Sequence, residues 1–184
     1  MDYESEMIED FIVDLKDTKT DLLVLCLIDS RDRPMLKTRI QKEALIFNQV
    51  YTKSEHEPYY FGGYSDDIDE SYSSLSDIGL LRTENKGYVL SGFGKAIVKA
   101  LDERDDETFR RSELLNKALA NIDDRSLVAI TYSLFPKLAE KSIIAESLNP
   151  LINKLIMNGK PLSDWTREEF IDCVRKGTPI TLAA

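Results

Sequence analysis

Basic side chains recur in the amino-terminal half at positions that would let them grip a polyanion. Arg31, Arg33, Lys37, Arg39 and Lys42 lie close together, and Arg82 and Lys86 sit on or beside a later turn. Cations gathered on one face hold a phosphate backbone by displacing its counterions, with no need to read bases. Between these two groups stands a segment of the opposite sign. Asp66, Asp67, Asp69, Glu70 and Asp77 occur with no Lys or Arg between Ser65 and Ile78, and carboxylates close to a phosphate backbone repel it. Tyr59, Tyr60, Tyr64 and Tyr72 gather around the same segment. Tyrosines beside acids, here Tyr59, Tyr60 and Tyr64 with Asp66, Asp67 and Glu70, suit contact with a basic or mixed protein surface. Each group also has a plainer reading: a solvated loop and helix start for the first cations, partly buried core residues for the tyrosines.

The residues offer little to an enzyme. His56 is the single histidine, so neither a histidine-rich metal centre nor a Ser/His/Asp or Cys/His constellation can be assembled with it. Cys26 lies in an apolar run and Cys173 in a late helical segment, with no paired motif near either, which suits reduced thiols. Asp66-Asp67 with Asp69-Glu70 does not make a cation site, because consecutive helical residues point apart and the oxygen-rich loop of a Ca²⁺ site is missing. The glycines from Gly87 to Gly94 do not make a phosphate loop, since Lys95 is followed by Ala96 rather than a hydroxyl. No catalytic, cofactor-binding or metal-ligating residue is singled out, and no cofactor is expected.

The bulk properties are those of a globular protein: 184 residues, 42% hydrophobic and 31% charged, with a net charge of -9. An acidic chain must concentrate its cations locally if it is to bind nucleic acid. The longest apolar run, Leu22 to Ile28, is too short to cross a bilayer, and Met1-Asp2-Tyr3-Glu4 lacks the basic start of an export signal. The expectation is a cytoplasmic protein without membrane contact.

The elements that would position these residues follow from periodicity. Met7, Ile8, Phe11, Ile12 and Leu15 mark one face of a helix over 4–16, and Leu22–Ile28 reads as a helix through the centre of a core. Pro34 breaks the pattern, and a further helix runs from Met35 or Lys37 to about Tyr51, with Ile40, Ala44, Phe47 and Tyr51 on its stripe. Ser65 opens a helix carrying Ile68, Tyr72, Leu75 and Ile78, and Gly79 stops it. Leu80-Leu81-Arg82 and Tyr88-Val89-Leu90 then read as two short strands around a turn that includes Asn85 and Gly87. Ser91 begins the next helix. Helix, glycine and hairpin in that order are the signature of a winged helix.

Beyond the charged stretch 102–107 the pattern is helical throughout: about 107–122, 124–134, a short helix over 142–148, another opened by Asn149-Pro150 and ended by Asn158-Gly159, and a last one opened by the capping box Thr166 to Glu169. The fold class is therefore mainly α with a small β-hairpin, a winged-helix domain over 1–103, plus an all-α C-terminal extension over 104–184.

Lys37-Thr38-Arg39-Ile40-Gln41-Lys42, followed by Phe47 and by Phe61-Gly62-Gly63-Tyr64-Ser65, resembles prokaryotic winged-helix proteins in which a T-x-L-Q-K helix precedes a G-P-Y/F-S turn. Arg39-Ile40-Gln41-Lys42 is also similar to the opening of the Panacea-type antitoxin domain. Gly63 stands where such proteins usually carry proline. The resemblance covers about 22–101 and implies a regulatory or interaction module, commonly associated with DNA, with no catalytic residue to carry over. Three expectations result, in descending order. The first is a non-enzymatic regulator acting through protein contacts, with an unidentified protein partner and a homodimer formed through the C-terminal helices. The alternative is a dimeric regulator gripping double-stranded DNA through 31–42 and the wing. The last is a metal-dependent or other enzyme.

Overall fold

The computed structural model describes residues 3–29, 33–52 and 63–183. It is mainly helical, with two small antiparallel sheets, and among the described residues no helix is long and apolar enough to cross a membrane. Contacts divide the chain into two units, one of Met1–Ile40 with Asp66–Glu113 and one of Gln41–Ser65 with Leu114–Ala184.

In the first unit, α1 (Tyr3–Asp17) and α2 (Lys19–Asp29) lead to the first turn of α3 (Lys37–Phe47). After α4 (Asp66–Asp77) come β1 (Leu81–Glu84), β2 (Gly87–Leu90), α5 (Gly92–Glu103) and the start of α6 (Glu107–Leu119). α2 packs on α1, α4, α5 and β2, which is why Leu22 to Ile28 is apolar all round and buried throughout. Phe11 on α1 meets Phe93 on α5 edge to face at 5.2 Å.

The hairpin runs from Leu81↔Leu90 to Glu84↔Gly87. Its two-residue turn places Asn85 at φ 47° and Lys86 at φ 67°, the twist that a tight antiparallel turn favours. Met35 adds a third, single-residue strand: its N–H donates to the Tyr88 carbonyl at 3.0 Å and its carbonyl accepts from the Tyr88 N–H at 2.9 Å.

The expected helix start at Ser91 is present. Its hydroxyl oxygen accepts from Gly94 N–H at 3.0 Å and its O–H donates to the Gly79 carbonyl at 2.6 Å, tying the chain after α4 to the start of α5. Gly94 is required by close approach rather than by phosphate: a Cβ there would stand 2.3 Å from the Leu80 carbonyl oxygen.

The second unit contains the rest of α3 and α6, with α7 (Asp124–Leu134), α8 (Pro136–Ala139), α9 (Ala145–Ile152) and α10 (Arg167–Lys176). The Thr166 capping box is formed, with Glu169 N–H on the Thr166 hydroxyl and the Glu169 carboxylate on Thr166 N–H. Asp123 caps α7 by accepting from Arg125 N–H at 3.1 Å and Ser126 N–H at 3.0 Å. Burial raises the Asp123 carboxyl, and the donors of Ser126 and Arg125 outweigh this and hold it below its ordinary value.

This half is not all-α. β3 (Ile156–Met157), β4 (Lys160–Pro161) and β5 (Leu182–Ala183) form a sheet in the order β4-β3-β5. Asn158-Gly159, expected to end a helix, is the hairpin turn between β3 and β4, with φ of 49° and 77°. Two-residue strands are too short to give an alternation in the sequence, so the turn signal lacked flanks to identify it. Pro150 likewise sits inside α9 instead of opening a helix of its own.

The contact division also departs from a cut at 103/104. Residues 41–52 and 63–65 join the second unit through bonds far apart in sequence: Gly63 N–H donates to the Leu138 carbonyl at 3.1 Å, and Arg175 donates to the Val50 carbonyl at 3.0 Å. Gly63 adopts φ 52°, and a Cβ on it would stand 2.1 Å from Leu45 Cδ1. The stretch 102–107 instead holds the end of α5, a turn at 104–106 and the first residue of α6, and in it Asp106 accepts from Thr108 N–H and Phe109 N–H.

Candidate interaction surfaces

α4 separates its residues by face. Ile68, Ser71, Tyr72 and Leu75 are buried. Ser71 donates to Asp21 at 2.5 Å, and Tyr72 stacks on Tyr88 with ring centroids 5.1 Å apart and planes 25° from parallel. The outward side carries Asp66, Asp67 and Glu70, all exposed and without ion pairs among the described residues. Asp69, half-buried, lies 3.4 Å from Lys37 Nζ, which also stands 5.1 Å over the Tyr72 ring. Tyr64 is half-buried. Tyr59 and Tyr60 lie outside the described residues, as does His56.

The expected phosphate-binding cations do not assemble into one exposed group. Arg31 lies outside the described residues, while Arg33 and Lys37 are exposed, the latter engaged with Asp69. Arg39 and Lys42 are buried, at 2% and 3% exposure, so neither can meet a phosphate backbone in this conformation. The reason is that α3 has no solvent face from Arg39 to Phe47: every residue in that stretch is buried. Arg82 is exposed and paired with Glu84 at 3.5 Å. Lys86 is exposed in the hairpin turn and has no ion pair among the described residues.

The polar residues inside α3 make specific contacts. Gln41 clamps the backbone of Ser65 from both sides, Nε2 donating to its carbonyl and Oε1 accepting from its N–H, each at 3.0 Å. The Lys42 ammonium stands 5.4 Å over the Tyr132 ring, and burial pushes its pKa down to about 8. The Tyr132 hydroxyl shares a hydrogen bond with Ser142 at 2.8 Å, and burial raises its pKa. Sequence reasoning missed Gln41 as a structural clamp and misread Lys42 as exposed. The available signal was that polar and apolar residues from Lys37 to Phe47 do not segregate cleanly onto two faces.

Elsewhere in the second unit Lys160 Nζ donates to Glu169 at 2.8 and 3.0 Å and lies 5.8 Å over the Trp165 ring. That ammonium, followed by the Thr166 N–H, holds the Glu169 carboxyl down to about 2. Trp165 Nε1 donates to the Met157 carbonyl at 3.2 Å, and Arg167 stands over the Phe135 ring while donating to Gln49. These contacts anchor α10 and the small sheet. Neither Cys26 nor Cys173 forms a disulfide among the described residues, and the Cys173 thiol is raised in pKa by burial and then by Asp172. Among the described residues no group of three or more His, Cys, Asp or Glu side chains could hold a metal ion.

Comparison of the chain with family models, curated proteins and solved structures gives no match.

Proposed function

We propose that the chain is a non-enzymatic regulatory module of winged-helix type that works mainly by contact with other proteins. The winged-helix reading is supported by the order α2, α3, α4, β1, β2 and by the bridge of Met35 to Tyr88 as a third strand beside the hairpin. In such a module the helix before the hairpin is the one that enters a DNA groove. Here α4 offers three exposed carboxylates, Asp66, Asp67 and Glu70, with no ion pair among the described residues, and that single observation carries the preference for protein. A carboxylate about 4 Å from a phosphate is opposed by about 1 kcal/mol even in water, so three such approaches cost about a hundredfold in affinity. The same face suits a partner surface of basic or mixed charge. Two cysteines that form no disulfide among the described residues fit a reducing, cytoplasmic setting.

The test is titration of the full chain with random-sequence duplex DNA across a range of salt. No binding at micromolar protein in low salt is the expected result. Binding that falls steeply with salt and is removed by Lys86→Glu would replace this reading with a DNA-binding regulator.

A further inference from the structure

The hairpin has one edge in use and one open. β2 lies between β1 and Met35, and Tyr88 turns both its N–H and its carbonyl toward Met35. In an antiparallel ladder, residues directly opposite either bond each other or both point away. Thr83 is the register partner of Tyr88, so its N–H and carbonyl point out from the free edge of β1. Thr83 is exposed and has no further hydrogen bond among the described residues. Arg82 and Glu84 flank it, both exposed and 3.5 Å apart at their charged ends.

A strand reading cation, threonine, anion is its own complement when reversed. Aligned antiparallel on Thr83, two copies place Arg82 of one opposite Glu84 of the other, twice, and the two threonines exchange a pair of backbone hydrogen bonds. We propose that the β1 edge is a self-association surface, on which a second copy of this chain pairs strand to strand about a two-fold axis through Thr83. The arrangement closes as a dimer, because each copy uses its β1 edge once and the other side of β2 already holds Met35. So short a pairing buries well under the about 1,000 Å² of a permanent interface, which makes the dimer weak and concentration-dependent. This inference does not depend on the proposed function: DNA binding leaves it standing, and a monomeric chain leaves the proposed function standing.

Sedimentation equilibrium of the full chain from about 10 μM to about 1 mM tests it, in the range where a contact of this size associates. The mass is expected to rise toward that of a dimer. Thr83→Pro removes only the outward N–H, leaving the β1–β2 bonds intact, and is expected to weaken association about tenfold or more. Arg82→Glu sets like charges opposite each other and is expected to abolish the dimer, while Arg82→Glu combined with Glu84→Arg restores it. This rescue remains decisive if the proline variant fails to fold. Thr83→Cys is expected to give a disulfide-linked dimer, since directly opposite Cα atoms in a bonded pair lie about 5.5 Å apart. A chain that is monomeric throughout, or a dimer unaffected by both Thr83→Pro and Arg82→Glu, overturns the proposal.

Discussion

α3 and α4 both carry dense runs of polar residues, and the structure treats them in opposite ways. On α4 the polar side stays in water, with Asp66, Asp67 and Glu70 exposed above a buried row of Ile68, Tyr72 and Leu75. On α3 the run Arg39, Gln41, Lys42, Glu43 is buried together with the apolar residues around it. A charge in water changes little on folding, whereas a buried one must be given a specific partner or be neutralised, a cation by losing a proton and a carboxylate by gaining one. α4 is therefore a surface whose chemistry is available to a partner. α3 is an internal element whose polar groups are fixed to other parts of the chain, as Gln41 is to Ser65 and Lys42 is to the Tyr132 ring.

The contrast predicts a graded set of effects. The largest comes from the inner side of α4. Tyr72→Ala removes a side chain of 0% exposure that stacks on Tyr88, and its expected cost in chemical denaturation is about 3–5 kcal/mol. A loss below about 1 kcal/mol would mean that α4 is not held by that row.

Next comes the pH response of α3. Lys42 titrates at about 8 in the folded chain against 10.5 in the unfolded one. Between those values the unfolded state carries a proton that the folded state has released, so this residue makes stability rise with pH across the window and withholds it below 8. The difference between the wild type and Lys42→Met, followed by denaturation at pH 7 and pH 10.5, should change by about 3 kcal/mol. A flat difference would place the ammonium in water and erase the distinction between the two helices.

Gln41→Ala should cost about 2 kcal/mol, by leaving the N–H and carbonyl of Ser65 without their partners, and should read out as a lower denaturation midpoint. Smallest is the outer side of α4. Asp66→Asn, Asp67→Asn and Glu70→Gln together should cost at most about 1 kcal/mol, from the helix dipole at the first turn. A larger loss in a thermal melt would reveal that these acids serve the fold rather than a partner.

How far the sequence discloses this varies with the range of the interaction. Helix starts set by local hydrogen bonds were readable: Ser91 and Thr166 cap where their residue types and spacing place them. The hairpin from Leu81 to Leu90 was readable too, because its strands are long enough to show flanks around Asn85 and Gly87. The burial of Lys42 was not, since it depends on Tyr132, ninety positions along the chain. Nor was the joining of Gly63 to Leu138, which ties Gly63 into the second unit. Of the candidate surface residues, Asp66, Asp67 and Glu70 lie exposed, away from the buried row of Ile68, Tyr72 and Leu75, as their spacing along α4 requires. The basic group near α3 dissolved because spacing alone gives no sign of what covers a helix on its polar side.

Gly63 also bears on which residues the turn before α4 can accept. Proline fixes φ near -65° and has no N–H, while position 63 holds φ 52° and donates to the Leu138 carbonyl. A proline placed there would therefore invert the local backbone and strip a bond at one stroke. Any larger residue at 63 would also have to displace Leu45 Cδ1, so this turn can change only together with the side chains packed on it.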